Sequence, residues 1–132
     1  MASVFFDTNV VLYTLSADIT KADRAEALLA TGGCISVQVL NEFTTVARRK
    51  LAMTWQEMGE ALGIVREVCR VEALTIEAHD HARAIAEKYG FAFYDALILA
   101  SALRAECTVL YSEDLQHGQR IENVLTIKNP FM

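Results

Sequence analysis

The 132-residue sequence predicts an α/β domain with a mainly parallel central sheet of four to five strands. Short apolar runs recur between segments of helix length, the rhythm of strands joined by helical crossovers. Acidic residues follow two of these runs, at Asp7 and within Ser112-Glu113-Asp114, where open parallel sheets bind their ligands. The only proline is Pro130, and no Ser-rich linker, charge block or repeat interrupts the pattern. Residues 1–132 are therefore expected to form one domain of ordinary size.

Taken in order, Val4-Phe5-Phe6 reads as the first strand and Cys34-Ile35 as the second. An amphipathic run from Val37 to Leu51 follows. Next, Trp55, Met58, Leu62, Val65 and Cys69 recur at spacings of three and four, a helical stripe that packs into a core or, as a second choice, into a dimer seam. Val71 to Leu74 reads as the third strand. The helix from Tyr94 to about Glu106 is apolar nearly all round, which marks it as buried. Thr108 to Tyr111 and Val124 to Ile127 complete the sheet.

Composition narrows the function. Twelve Lys and Arg against seventeen Asp and Glu give a net charge of −5, so nucleic acid would not be gripped by bulk electrostatics, and any RNA contact must be local or metal-assisted. The 53% hydrophobic content lies above the roughly 45–50% usual for soluble domains and suggests a subunit interface, as in a homodimer. Cys34, Cys69 and Cys107 lack metal-site spacing and read as buried reduced thiols, in keeping with a cytoplasmic location. The start, Met-Ala-Ser-Val-Phe-Phe-Asp, has no basic leader, and the run Ala96 to Leu103 is too short to span a bilayer. No membrane association is expected.

Four acids are candidates for chemistry. Asp7 follows the first strand directly, although an aspartate there also suits the cap of the segment beginning at Thr8. Glu42 lies on the Val37–Leu51 run with Val39 and Val46 as helical neighbours. Asp95 stands on the first turn of the apolar helix, in the positive field of its dipole. Beyond the Thr108–Tyr111 strand, either Glu113 or Asp114 could face inward. If such acids converge on apolar elements, like charges crowd in low dielectric, and a bound cation resolves the conflict. Oxygen-only ligation suits Mg²⁺ or Mn²⁺ and phosphoryl chemistry. The basic cluster Arg48, Arg49 and Lys50 is a candidate for phosphate contact, or equally a favourable helix C-terminus.

These residues together resemble the PIN-domain nucleases: Phe5-Phe6-Asp7-Thr8-Asn9 at the start, Glu42 in the third helix, the block Tyr94-Asp95-Ala96-Leu97-Ile98-Leu99-Ala100-Ser101-Ala102-Leu103, and Leu110-Tyr111-Ser112-Glu113-Asp114. The matches run in family order across nearly the whole chain. The resemblance implies a three-layer α/β/α PIN-like domain. It also implies a catalytic set of Asp7, Glu42, Asp95 and Asp114, with Asp7, Asp95 and Asp114 as metal ligands. The family's Thr/Ser, any residue, Asp pattern falls on Ser112 and Asp114, which selects Asp114 over Glu113. A further acid found in some relatives is replaced by Gln116, so a fifth carboxylate is absent. Thr8 and Asn9 are expected to fix the loop around Asp7, and Ser112 to orient a water or a phosphate oxygen.

A chain of this kind looks like the VapC-type toxin of a toxin–antitoxin pair. That implies hydrolysis of RNA phosphodiesters with Mg²⁺ or Mn²⁺ and a cognate antitoxin whose basic segment fills the acidic site. Two other readings remain in view. A haloacid-dehalogenase-type phosphatase also places Asp at the first strand end, but needs a second acid where Asn9 stands. A non-catalytic interaction module would use the acidic pocket to hold a basic peptide.

Overall fold

A computed structural model describes residues 3–132; Met1 and Ala2, part of the non-basic start and of the 1–132 span read above, lie outside the described residues. The elements run β1 (Val4–Phe6), α1 (Thr8–Tyr13), α2 (Ile19–Ala30), β2 (Gly33–Ser36), α3 (Val37–Lys50), α4 (Trp55–Val68), β3 (Cys69–Glu72), α5 (Ile76–Tyr89), α6 (Phe93–Arg104), β4 (Val109–Tyr111), β5 (Arg120–Ile121) and β6 (Leu125–Lys128). Local chemistry sets several boundaries. Thr54 and Glu57 form a reciprocal capping box at the start of α4. Thr75 caps α5, which stops at Gly90, whose φ of 80° is left-handed and suits a residue without a Cβ.

Among the described residues the sheet has six strands, in the order β3-β2-β1-β4-β6-β5. All neighbours are parallel except β5 and β6. The strand beyond the expected four to five is β5, a two-residue segment that returns antiparallel through a turn in which Glu122 and Asn123 have φ of 52° and 57°. So short a strand carries no periodicity of its own; its pairing with β6 defines it. Pairing also moves β3 earlier than the Val71–Leu74 run suggests, because Cys69 and Arg70 lie in register with Gly33 and Cys34 of β2.

Helices cover the sheet to give three α/β/α layers. Helix α1 packs on α2 and α3, α4 on α2 and α3, and α5 along α6. As its composition requires, α6 is buried continuously from Ala96 to Ala102. The α4 stripe is mainly core: Met58 and Val65 are buried and Leu62 is half-buried, whereas Trp55 at its end is 66% exposed. Cys69, the last residue of the stripe in sequence, is buried but opens β3, where it pairs with Gly33. Burying such side chains contributes about 1.5–3 kcal/mol each, which accounts for Met58 and Val65 but not for the exposed Trp55. At the sheet centre Phe5 and Phe6 are fully buried. There, a Cβ on Gly33 would lie 2.6 Å from the Phe6 ring and 2.9 Å from Val4, so β1 and β2 approach closely only because residue 33 is glycine.

The three cysteines are free thiols and buried. Among the described residues, no helix is long and apolar enough to cross a membrane.

Candidate active site

The register between β1 and β4 builds the centre of the site. Phe6 pairs with Tyr111, so the residues that follow, Asp7 and Ser112, leave adjacent strand ends side by side. The ladder continues one step further, with the Asp7 amide donating to the Tyr111 carbonyl at 3.0 Å and the Ser112 amide donating to the Lys128 carbonyl at 3.0 Å. Two side chains separated by 105 positions in sequence are thereby held by backbone on both sides.

Asp7 divides its two oxygens between tasks. Oδ1 accepts from the Thr8 amide at 2.7 Å and caps α1. Oδ2 accepts from Ser112 Oγ at 2.8 Å and from Asn9 Nδ2 at 3.4 Å. The capping role and a place in the acidic cluster are therefore compatible.

Asn9 links the strand ends. Its Nδ2 also lies 3.3 Å from Ser112 Oγ and 3.1 Å from Asp114 Oδ2, while its Oδ1 accepts from the Glu113 amide at 3.1 Å. The Asp114 amide donates to Ser112 Oγ at 3.2 Å. Asn9 and Ser112 thus set the conformation of the loop that presents Asp114 beside Asp7. A second carboxylate at position 9, as phosphatase chemistry of the aspartyl type requires, would lack the amide donors that Asn9 supplies to Asp7, Ser112 and Asp114.

Glu113 turns away from this cluster. Its carboxylate accepts from the Tyr13 hydroxyl and from Lys21 Nζ at 3.0 Å, and these bonds, the Tyr13 bond foremost, hold its carboxyl below the usual range. With Glu113 tied to α1 and α2, Asp114 is the acid of the pair that faces Asn9 and Asp7.

Glu42 reaches the cluster from α3. It is exposed, although Val39 on the same helix is buried and Val46 half-buried. Its Oε1 accepts from Gln38 Nε2 at 2.7 Å, and the same nitrogen donates to the Tyr94 carbonyl at 3.1 Å. Gln38 therefore joins α3 to the first turn of α6, where Asp95 stands half-buried. Asp95 makes no side-chain hydrogen bond among the described residues, but it lies within the field of Asp114.

The electrostatics follow from this crowding. Burial pushes the Asp7 carboxyl up to about 6; bonds from Ser112 and Thr8 oppose the rise, and the like charges of Glu42 and Asp114 add to it. Burial raises Asp95 as well, with Asp114 contributing. A buried carboxylate among other acids and without a paired cation is the arrangement that a divalent ion would stabilise. The donor set, four carboxylates with Ser and Thr hydroxyls, is all oxygen. The Thr8 hydroxyl is buried without a hydrogen-bond partner. These features fit a hard cation such as Mg²⁺ or Mn²⁺. Among the described residues, no three His, Cys, Asp or Glu side chains are already drawn into one ligand group.

The basic cluster lies further along α3. Arg48, Arg49 and Lys50 occupy the last turn of α3, six to eight residues beyond Glu42, or roughly 9–12 Å along the helix at 1.5 Å per residue. Arg48 is already engaged, donating to the Met53 carbonyl at 2.6 Å and covering the Trp55 ring with its centroid at 4.6 Å. Gln38, Tyr13 and Lys21 are the residues that the sequence did not single out. Only Gln38 left a trace there, since it stands four residues before Glu42 and hence on the same helical face.

A parallel α/β sheet with carboxylates beyond the ends of two adjacent strands, and two more delivered by helices, defines an acidic-site α/β protein. The chain belongs to the PIN domain family, whose sequence profile matches residues 4–120. No curated protein sequence matches it significantly. Among solved structures it is similar to a toxin–antitoxin complex from Klebsiella pneumoniae (TM-score 0.74, 18% identity, covering 97% of this chain and 98% of that one). It is also similar to a DNA-bound VapBC from Salmonella typhimurium (TM-score 0.72, 22% identity, 98% and 99%). A third is Mycobacterium tuberculosis VapC20, described as a toxin cleaving the sarcin-ricin loop (TM-score 0.70, 23% identity, 85% and 90%). At these identities the likeness is one of fold.

Proposed function

We propose that this protein is a divalent-metal-dependent endoribonuclease, acting as the toxin of a toxin–antitoxin pair, with residues 1–132 working as one PIN unit. The observation that carries this function is the convergence of Asp7 and Asp114 at neighbouring strand ends through Ser112 and Asn9, with Glu42 and Asp95 approaching from α3 and α6. Membership of the PIN family and the toxin–antitoxin character of the structural neighbours support the same conclusion.

Asp7, Asp95 and Asp114 would hold Mg²⁺ or Mn²⁺, which when bound supplies charge for a phosphodiester transition state and acidity for a water. The chain's own groups do the rest. Ser112 and Thr8 orient Asp7 and oppose the rise in its pKa that burial causes. Glu42, anchored by Gln38 at its Oε1 and otherwise exposed, would contact the metal through a water or accept a proton from the attacking water. Ser112 and Asn9 hold the Asp114 loop in register with β1.

An antitoxin partner would find two complementary surfaces. The acidic cluster suits a basic segment, in keeping with the net charge of −5. A cavity of about 360 Å³, lined by Leu15, Leu29, Phe43, Ile64 and Val65 among others, suits the apolar face of a helix.

The test is cleavage of cellular RNA by purified protein in Mg²⁺ or Mn²⁺, its arrest by EDTA, and its loss in Asp7→Asn and Asp95→Asn. Full activity in either variant rejects the site. Tight binding of a basic peptide with no metal-dependent cleavage of any RNA would make the protein an interaction module instead.

A further inference from the structure

Beside the acidic cluster, α3, α6 and Leu74 line an open cleft of about 560 Å³, to which Glu42 also contributes. Tyr94, Leu97 and Leu74 supply apolar surface, and Gln38, Asn41 and Thr45 supply polar edges. Tyr94 is 68% exposed, unusual for a large aromatic ring, and Leu74 is 40% exposed. The Tyr94 ring is braced edge-on by Phe93 at 5.7 Å, and its carbonyl is held by Gln38. It therefore presents an aromatic face to solvent next to Asp95.

Gln38 adds a second, independent feature. It is 96% buried, and because its Nε2 donates to both Glu42 and Tyr94, the orientation of its amide is set. Its Oε1 is left without any donor. An unpaired buried acceptor is costly, and because this one is closed to solvent, a ligand's N–H meets it only after the Gln38 side chain shifts.

We propose that this cavity binds one unstacked nucleobase of a single-stranded RNA, next to the scissile phosphate. The inference rests on the ribonuclease function proposed above. The lining contains no Lys or Arg and does contain Glu42, so a phosphate is repelled there. A nucleobase is uncharged, has a flat face for Tyr94 and carries N–H and C=O groups on its edge for Asn41 and Thr45. Glu42 borders both the cavity and the acidic cluster, so a base seated in the one leaves its own backbone at the other. Such a subsite explains how a chain with net negative charge can hold RNA: by stacking rather than by phosphate neutralisation.

The experiment uses single-stranded oligoribonucleotides carrying 2-aminopurine at successive positions, titrated in Mg²⁺ with the cleavage-impaired Asp7→Asn full-length chain. Quenching is expected at one position. Adding Tyr94→Ala should remove the quench and raise Kd by roughly 5- to 150-fold, the range expected for one lost base stack, while Tyr94→Trp should retain both. In the otherwise wild-type chain, Tyr94→Ala should raise KM with kcat largely kept. If that chain cleaves RNA but shows no localised quench and an unchanged KM in Tyr94→Ala, the subsite is rejected and the ribonuclease function stands. If it cleaves no RNA in Mg²⁺ or Mn²⁺, the ribonuclease function itself fails. If Tyr94→Ala turns a dimer into a monomer in sedimentation and leaves the quench intact, the face serves self-association and the proposal is overturned.

Discussion

Ser112 Oγ donates to Asp7 Oδ2 at 2.8 Å, joining the ends of β4 and β1 at the point where the acidic cluster begins. The same hydroxyl accepts from the Asp114 amide, so one small side chain aligns two carboxylates. Hydrogen bonds to charged groups contribute about 1.5–3 kcal/mol. Ser112→Ala should therefore lower stability by about that much in denaturant unfolding. Because the Ser112 bond pulls the Asp7 pKa down, its removal should raise it further. NMR titration of metal-free protein should show Asp7 ionising at higher pH in the variant, and unchanged titration would remove Ser112 from this role.

The raised Asp7 pKa has a defined consequence for stability. Burial shifts the folded value from 3.8 to about 6, so between those values the folded state binds the proton more tightly than the unfolded chain does. The contribution of Asp7 is most favourable when it is protonated and declines as pH rises from about 4 to about 6 in metal-free protein. A shift of about two units amounts to roughly 3 kcal/mol at 1.36 kcal/mol per unit. Asp7→Asn should thus stabilise the metal-free protein near neutral pH, by roughly 1–3 kcal/mol, while abolishing cleavage. A lower melting temperature in that variant would contradict the buried-charge account. Mg²⁺ or Mn²⁺ should raise the melting temperature of wild type and not of Asp7→Asn.

Gln38 ties Glu42 to the Tyr94 carbonyl, and so couples a carboxylate on α3 to the helix that carries Asp95. Its effect on cleavage would come through the placement of Glu42. Gln38→Ala should reduce kcat by about ten- to a hundredfold, as expected when a positioned acid–base group is set free. Gln38→Glu sets a second negative charge against Glu42 and should lower kcat further and shift its pH profile. If both variants keep wild-type kcat across the pH range, the Gln38–Glu42 bond is structural only.

Glu113 and Asp114 are adjacent acids with opposite surroundings. Glu113 is held by Tyr13 and Lys21, whereas Asp114 is held by Asn9 within the cluster. Asp114→Asn should depress cleavage strongly and weaken Mn²⁺ binding measured by calorimetry. Glu113→Gln keeps the shape of its contacts and should leave Mn²⁺ affinity near wild type. The reverse ranking would exchange the two residues' roles.

Much of this architecture was legible from the chain alone. The runs at Val4–Phe6 and Thr108–Tyr111, and the all-round apolar helix after Tyr94, state their burial through residue type, because strand alternation and helical period express which faces meet water. Asp7, Asp95 and the Ser112-Glu113-Asp114 loop could be located from their positions at the ends of those elements. The two-residue β5 and the early start of β3 could not, since each is specified by a partner strand and not by its own pattern.

Local sequence determined where carboxylates leave the elements, and left open which of them meet. Only the tertiary fold decided that Ser112 lies against Asp7, that Tyr13 and Lys21 draw Glu113 away so that Asp114 turns inward, and that Gln38 bridges Glu42 to α6. The physical reason is range. Periodicity and capping act over a few residues, whereas these contacts join positions up to 105 apart, and it is the β1–β4 register and the packing of α3 near α6 that bring them within hydrogen-bond reach.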